Sequence, residues 1–301
     1  MTMRRIALLV VVTVLLAGCS APAGTDGNLT DGWEVPPAPS VPVPAIGTCL
    51  ATGGNVAYND KGDPAATPVD CGTPHKLEVV RVARFPDDAQ PPAWGSPAMR
   101  AAYADCGKAA SGYLGGDWHT AWLFVHVGRP SSAAWAGGAR SYVCGVAEFE
   151  RTDWASPAVE RIGSLKGSLT GRPPRCATLI GNQPDKQGFY LRIAGERRTD
   201  CNEAHDAELA AVFELPDGAY PSWQAQGDYL LPRCITAVTA LLGLSRQAFD
   251  RRAELWVHFT WLDDQSEWQA GERASLCYVT VPMAHKVRGS LKGVGAGPLP
   301  Y

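Results

Sequence analysis

Between Lys76 and Phe85 the apolar positions alternate. Leu77, Val79, Ala83 and Phe85 fall on one side of the chain, a period of two that predicts a strand ended by Pro86-Asp87-Asp88. Past Ser96 the period changes. Met99, Tyr103, Cys106, Ala110 and Tyr113 are spaced by four, three, four and three, so they share one face of a predicted helix with Cys106 turned inward. Ser96 and Pro97 supply its N-cap and first position, and Gly115-Gly116 its end. Ala121–Val127 and Ser141–Phe149, rich in aromatic and β-branched residues, predict two further strands around a turn at Trp135–Arg140.

The whole order then returns. Cys49, Cys71, Cys106 and Cys144 are matched by Cys176, Cys201, Cys234 and Cys277. The spacing C-x3-H-x2-E, Cys71-His75-Glu78, recurs as Cys201-His205-Glu208. Trp135, Gly138, Arg140 and Cys144 recur as Trp268, Gly271, Arg273 and Cys277, and the tail Gly163–Gly167 as Gly289–Gly293. A helix between Tyr229 and Leu242 again carries its cysteine, and an insertion near Ser245–Phe249 reads as one extra helical turn. A period near 130 residues is too long for a solenoid, so the pattern predicts two tandem domains. The expected fold class is α+β: two homologous domains, residues 45–160 and 170–301, each a small antiparallel sheet with one main helix, stapled by disulfides.

The N-terminus changes the picture of where the chain works. Arg4-Arg5, an apolar run from Ile6 to Leu16 and the ending Leu16-Ala17-Gly18-Cys19 read as a signal peptide over residues 1–18. The Leu-Ala-Gly-Cys ending resembles the lipobox of bacterial lipoproteins, in which Cys19 would become the acylated N-terminus, carrying palmitate-type chains. Two or more chains at about 0.8 kcal/mol per buried CH2 give a stable anchor. Residues 19–44, small, polar and then proline-rich, read as a tether that favours polyproline II. The expected location is the extracytoplasmic face of the cell membrane, held there by lipid.

The full chain has a formal charge of −3. Removing Arg4 and Arg5 from its 27 basic residues leaves 25 against 30 acidic ones, hence −5 after cleavage. An acidic chain without a basic stripe excludes nucleic acid as the expected partner. Setting Cys19 aside leaves eight cysteines, an even number suited to an oxidising compartment. The repeat leaves three connectivities open in each copy. Pairing first with second and third with fourth would tie the strands flanking the opening excursion and staple helix to sheet. No C-x2-C pair favours a thiolate metal site, so neither metal nor cofactor is expected.

These landmarks resemble the septum formation-related domain of actinobacterial envelope proteins. The matching features are Gly47-Thr48-Cys49, the run Cys71 to Val79 with its Pro74-His75, the helical Cys106, and Trp135 to Cys144. The second copy departs, with Arg175 before Cys176 and Ala204 in place of proline. The resemblance implies an envelope setting, with a link to septum or cell-wall processes, and no settled activity.

His75 with Glu78, and His205 with Glu208, are the only polar pairs repeated at fixed spacing. One reading makes them an acid/base or metal-orienting couple, hence an envelope hydrolase or metal-dependent enzyme. In the other, the histidine bonds the backbone after a disulfide while the glutamate starts a strand. His119, His126, His258 and His285 show no repeated pairing with them, and no H-E-x-x-H, G-x-S-x-G or phosphate loop is present. The leading expectation is a non-catalytic binding or scaffold module for an unknown envelope protein or cell-wall glycan. Trp135 and Trp268 then belong to packing, and Arg140 and Arg273 to a carboxylate or carbonyl. Trp94 and Trp223, read as loop residues, are the candidates for a surface that stacks on sugars.

Overall fold

The computed structural model describes residues 43–51, 67–88, 90–152, 158–172 and 175–301, without the side chains of 182–184 and 190–192. The expected leader, Cys19 and the tether up to residue 42 lie outside the described residues. Ser40–Tyr301 forms one compact unit.

Its first half contains β1 (Cys49–Leu50), β2 (Pro68–Val69), β3 (Leu77–Arg84), α1 (Pro97–Leu114), β4 (Leu123–Gly128), α2 (Ser132–Ala136) and β5 (Ser141–Glu148). The second half contains β6 (Cys176–Pro184), β7 (Tyr190–Thr199), β8 (Ala207–Glu214), α3 (Trp223–Leu242), α4 (Arg246–Phe249), β9 (Trp256–Phe259), α5 (Gln265–Ala270) and β10 (Ala274–Thr280). The strands run β2-β1-β3-β5-β4 and β7-β6-β8-β10-β9, the same order twice, and every pair is antiparallel. Each sheet carries one long helix, as the α+β expectation requires.

Local chemistry fixes those helices. The Ser96 hydroxyl accepts from the Met99 amide, Pro97 opens α1, and Gly115 closes it with φ +80°. Ser222 and Gly243 do the same for α3. The buried stripe of α1 is Met99, Ala102, Cys106, Ala110 and Leu114, a slight rotation from the expected one. Tyr103 and Tyr113 sit half-buried at its edges, where their hydroxyls reach glutamates. α3 starts at Trp223, six residues before the expected Tyr229, so Trp223 is a helical residue and not a loop residue. Trp261 lies against the helix at Gly227, where a Cβ would meet its ring at 3.5 Å, an ordinary contact. Trp135 likewise lies in α2, where a turn was expected.

Four disulfides join Cys49 to Cys71, Cys106 to Cys144, Cys176 to Cys201 and Cys234 to Cys277. Cys106 and Cys234 bridge each helix to the strand that carries the closing cysteine, β5 and β10. Loops of 22 to 43 residues correspond to about 3–4 kcal/mol per bridge on the loop-closure view.

The tail residues 158–172 belong to the first half. His75 forms a two-way backbone bridge with Arg161, Gly167 N–H donates to Tyr113 O, and Leu169 N–H to Leu114 O. A division at 160 and 170 leaves this tail out of the unit that it completes. One pair of positions differs between the sheets in a compensating way. A Cβ on Gly145 would lie 2.4 Å from the Leu77 side chain. The corresponding positions of the second sheet hold Tyr278 and Ala207, the large side chain having changed strand.

Candidate functional site

His75 and Glu78, and their counterparts His205 and Glu208, are 0–1% exposed. The His75 Nδ1–H donates to the Thr73 carbonyl at 2.8 Å and His205 Nδ1–H to the Glu203 carbonyl at 2.7 Å, fixing which ring nitrogen carries the proton. The Glu78 carboxylate accepts from Tyr113 Oη, from Ser164 Oγ and from the Leu165 amide at 2.6 Å. Glu208 accepts from Ser290 Oγ and the Leu291 amide, both at 2.6 Å. Two motifs far apart in sequence are thus one device. The histidine backbone pairs with the tail, and the glutamate side chain receives the Gly-Ser-Leu-Lys-Gly turn that follows. No substrate reaches these groups.

Two sets of side chains come close enough to suggest a metal, Cys49–Cys71–Glu78 and Cys176–His205–Glu208. Their sulfurs are in disulfides and offer no thiolate, so the donor chemistry does not fit a resident ion. The Trp–Arg pair is also structural. Arg140 stacks on Trp135 at 4.0 Å, donates to the carbonyls of Trp135 and Ala139, and meets Asp87 at 3.1 Å. Arg273 repeats all of this with Trp268, Glu272 O and Asp217.

His126 and His258 do not pair with His75 or His205, but the strand register makes them equivalent to each other. Val127 faces Cys144 and Phe259 faces Cys277, with each histidine one residue earlier. Burial pushes both imidazoles down to about 4, so both are neutral at physiological pH.

The main accessible space is lined by repeated and non-repeated residues together. Between the halves lies a cleft of about 1010 Å³. Arg100, Tyr103, Lys108 and His119 line it from the first half, and Tyr220, Trp268, Gln269 and Glu272 from the second. Tyr103, Trp118, His119 and Glu272 also line a second cavity of about 440 Å³, so these four form a wall shared by both spaces.

His119 sits in a short 3-10 turn, Trp118–Thr120, capped by Asp117. Its ring stacks on Trp118 at 3.6 Å, Nδ1–H donates to Asp117 Oδ1 at 2.7 Å, and Nε2 faces Glu272 Oε1 at 3.8 Å. Burial alone would lower its pKa, but hydrogen bonds to Asp117 and Glu272 outweigh it and raise it to about 9. Glu272 also accepts from Tyr103 Oη and from the Arg273 and Ala274 amides. Burial would raise the Glu272 pKa, yet these partners hold it below the ordinary carboxylate value, while burial and Glu272 push the Tyr103 phenol well up. At neutral pH the wall is an imidazolium facing a carboxylate. An imidazole that keeps its proton to about pH 9 is a poor general base there. What the arrangement does well is fix the two halves against each other around a polar cleft.

Reasoning from repeats could not find this wall. Counting from the helical cysteines, Tyr103 has Leu231 as its counterpart, and counting from the arginines Glu272 has Ala139. The available signal was the reverse of the one followed: polar residues that break an otherwise faithful repeat.

Fold, bridges and cleft define a disulfide-stapled α+β module of two similar sheet units, suited to an oxidising compartment, with an accessible concavity between the units. The chain belongs to the Septum formation family, whose sequence model matches residues 46–277, from the loop before β1 to Cys277 of β10. That is not a known enzyme family, and membership points to a role in cell division or the envelope. No curated protein and no solved structure matches the chain. Among the described residues no helix is long and apolar enough to cross a membrane.

Proposed function

We propose that this protein is a lipid-anchored extracytoplasmic binding module of the cell envelope, without catalytic activity, which takes its ligand in the cleft between the two halves. The observation that carries the reading is the contrast between the polar groups. The repeated His75, Glu78, His205 and Glu208 are enclosed and spent on the fold, whereas the non-repeated Tyr103, His119 and Glu272 line about 1010 Å³ of accessible space. Two copies of one unit, each stapled twice, make a rigid frame for such a cleft. The lipobox-like Leu16–Cys19 and the proline-rich tether supply the anchor and reach.

The experiment is site-specific photo-cross-linking in living cells. A cross-linker replacing Lys108 or Gln269, in the cleft, is expected to give a discrete adduct, and one replacing the exposed Ile162 none. Adducts from Ile162 but not from the cleft would overturn the assignment of the site. In parallel, Cys19→Ala is expected to move the protein out of the membrane fraction; retention there would remove the lipid anchor from the proposal.

A further inference from the structure

A buried indole N–H ordinarily finds an acceptor. Trp135 Nε1–H donates to the Asp88 carbonyl at 2.9 Å, and Trp268 Nε1–H to the Gly218 carbonyl at 3.3 Å. Trp118 is enclosed to a similar degree, 7% exposed, yet its Nε1–H donates to nothing among the described residues and stays open to solvent. A Cβ on Gly107 would lie 3.4 Å from that nitrogen. Gly107 lines the cleft and not the second cavity, so the cleft is the side from which the N–H can be reached. A glycine inside α1 weakens the helix by about 1 kcal/mol relative to alanine. At this position it leaves a donor uncovered.

From this geometry we infer that the cleft holds a subsite for a carboxylate group at Gly107, where Trp118 Nε1–H, the Lys108 ammonium and the Ser111 hydroxyl are the donors. Lys108 follows Gly107 on α1 and Ser111 stands one turn further on; both line the cleft. Lys108 is exposed and forms no ion pair among the described residues. The carboxylates of the cleft are mostly engaged elsewhere. Asp117 is bonded to His119, Asp217 is paired with Arg273, and Glu272 accepts from Tyr103 and faces His119. Glu214, the remaining one, belongs to the second half. The site therefore offers donors without acceptors, which selects an anion. Its donors are side chains in mid-helix, where the backbone amides are taken up by the helix itself, so the free amides of a phosphate cradle are lacking. A carboxylate needs less: one oxygen accepts from the indole and the other faces the lysine. Counted from Cys106 and Cys234, the second half has Ile235 and Thr236 at the positions of Gly107 and Lys108, so the chain has one such subsite.

This inference rests on the cleft as the ligand site and names the group bound there. The test follows the Trp118 indole N–H resonance of residues 19–301 by NMR, identified by its loss in Trp118→Phe, during titration with N-acetylglycine. A saturable shift is expected, and none with N-acetylglycinamide, which has the same shape without the charge. Gly107→Ala sets a methyl against the indole nitrogen and suits a helix interior, so it tests the site in a chain that still folds. Gly107→Ala and Lys108→Met are each expected to weaken binding about tenfold, with a thermal midpoint no lower than that of the native chain. No shift in the native chain, an equal response to the amide, or undiminished binding in either variant would overturn the proposal. So would tighter binding of methyl phosphate, which would make the site one for phosphate. Cross-linking from Gln269 in living cells separates the two readings. An adduct without N-acetylglycine binding keeps the cleft and removes the subsite, whereas binding without an adduct keeps the subsite and counts against the cleft as the site used in cells.

Discussion

Arg175, at the start of the second half, lies with its guanidinium 3.7 Å over the indole ring of Trp122 from the first. The same guanidinium is paired with Glu196 at 2.6 Å and donates to the Ala121 carbonyl. Tyr278 Oη donates to the same glutamate oxygen at 2.8 Å. Trp122 itself packs among Ala177, Leu179, Leu209 and Tyr278, side chains of the second sheet. The halves therefore share a buried joint, apolar at its centre and closed by an ion pair that is 3–4% exposed. Removing one partner strands the other charge. Arg175→Ala is expected to cost on the order of 3–5 kcal/mol in urea unfolding, and Arg175→Met combined with Glu196→Gln less than that. Equal loss in the single and double variants would show that the pair is not what holds the joint.

The glutamates that receive the Gly-Ser-Leu-Lys-Gly turns should matter to stability and not to any chemistry. Glu78→Gln is expected to lose about 1–3 kcal/mol, since a neutral amide cannot accept from three donors at once. Glu208→Gln, with two such donors, is expected to lose less. Hydrogen exchange at the Leu165 and Leu291 amides reads the effect locally. Unchanged protection there would contradict the tail-clamp role.

Metal should have no hold on the oxidised protein. Equilibrium dialysis against zinc is expected to give no stoichiometric binding at His75 or His205, and chelator no change in thermal midpoint, because the neighbouring sulfurs are in disulfides. One zinc per half, lost on His75→Ala and His205→Ala, would reverse this.

Stability should peak near pH 6.5. His126 and His258 titrate at about 4 when folded against 6.5 when unfolded, so below pH 6.5 the unfolded chain takes up protons that the fold refuses, and stability drops as the pH falls towards 4. His119 has the opposite sign. Raised to about 9, it stabilises fully below pH 6.5, and that contribution is lost as the pH rises through 9. Thermal midpoints from pH 4 to 9.5 should show both limbs, with His119→Gln flattening only the alkaline one.

The contact between Leu77 and Gly145 gives a size test. Gly145→Ala forces a methyl into the Leu77 side chain and is expected to cost about 1–3 kcal/mol by chemical unfolding. Adding Leu77→Ala should recover part of the loss, which two independent defects would not do.

Much of each unit could be read in advance because its determinants are local or repeated. Ser96-Pro97 and Gly115 bound α1 by local capping, and the paired cysteines mark where helix meets sheet. α3 begins six residues before the expected Tyr229, at Trp223. The cleft was not legible, since Tyr103 and Glu272 are 169 residues apart and neither is echoed in the other half. Their meeting depends on how one sheet docks on another, which no periodicity encodes.

The joint around Trp122 also limits how far the architecture can grow. It is a head-to-tail contact between like units, the kind that repeats without end when each unit carries both the plug and the socket. Here the second half has Glu254 at the register position of the plug, Trp122, and it pairs that glutamate with Arg252. The first half has lost the socket in turn, because Leu77 against Gly145 fills the space that Ala207 and Tyr278 shape in the second. Neither end can recruit another unit in the same way. The pairing of the two units is self-terminating, and a surface that would otherwise polymerise is confined to a pair.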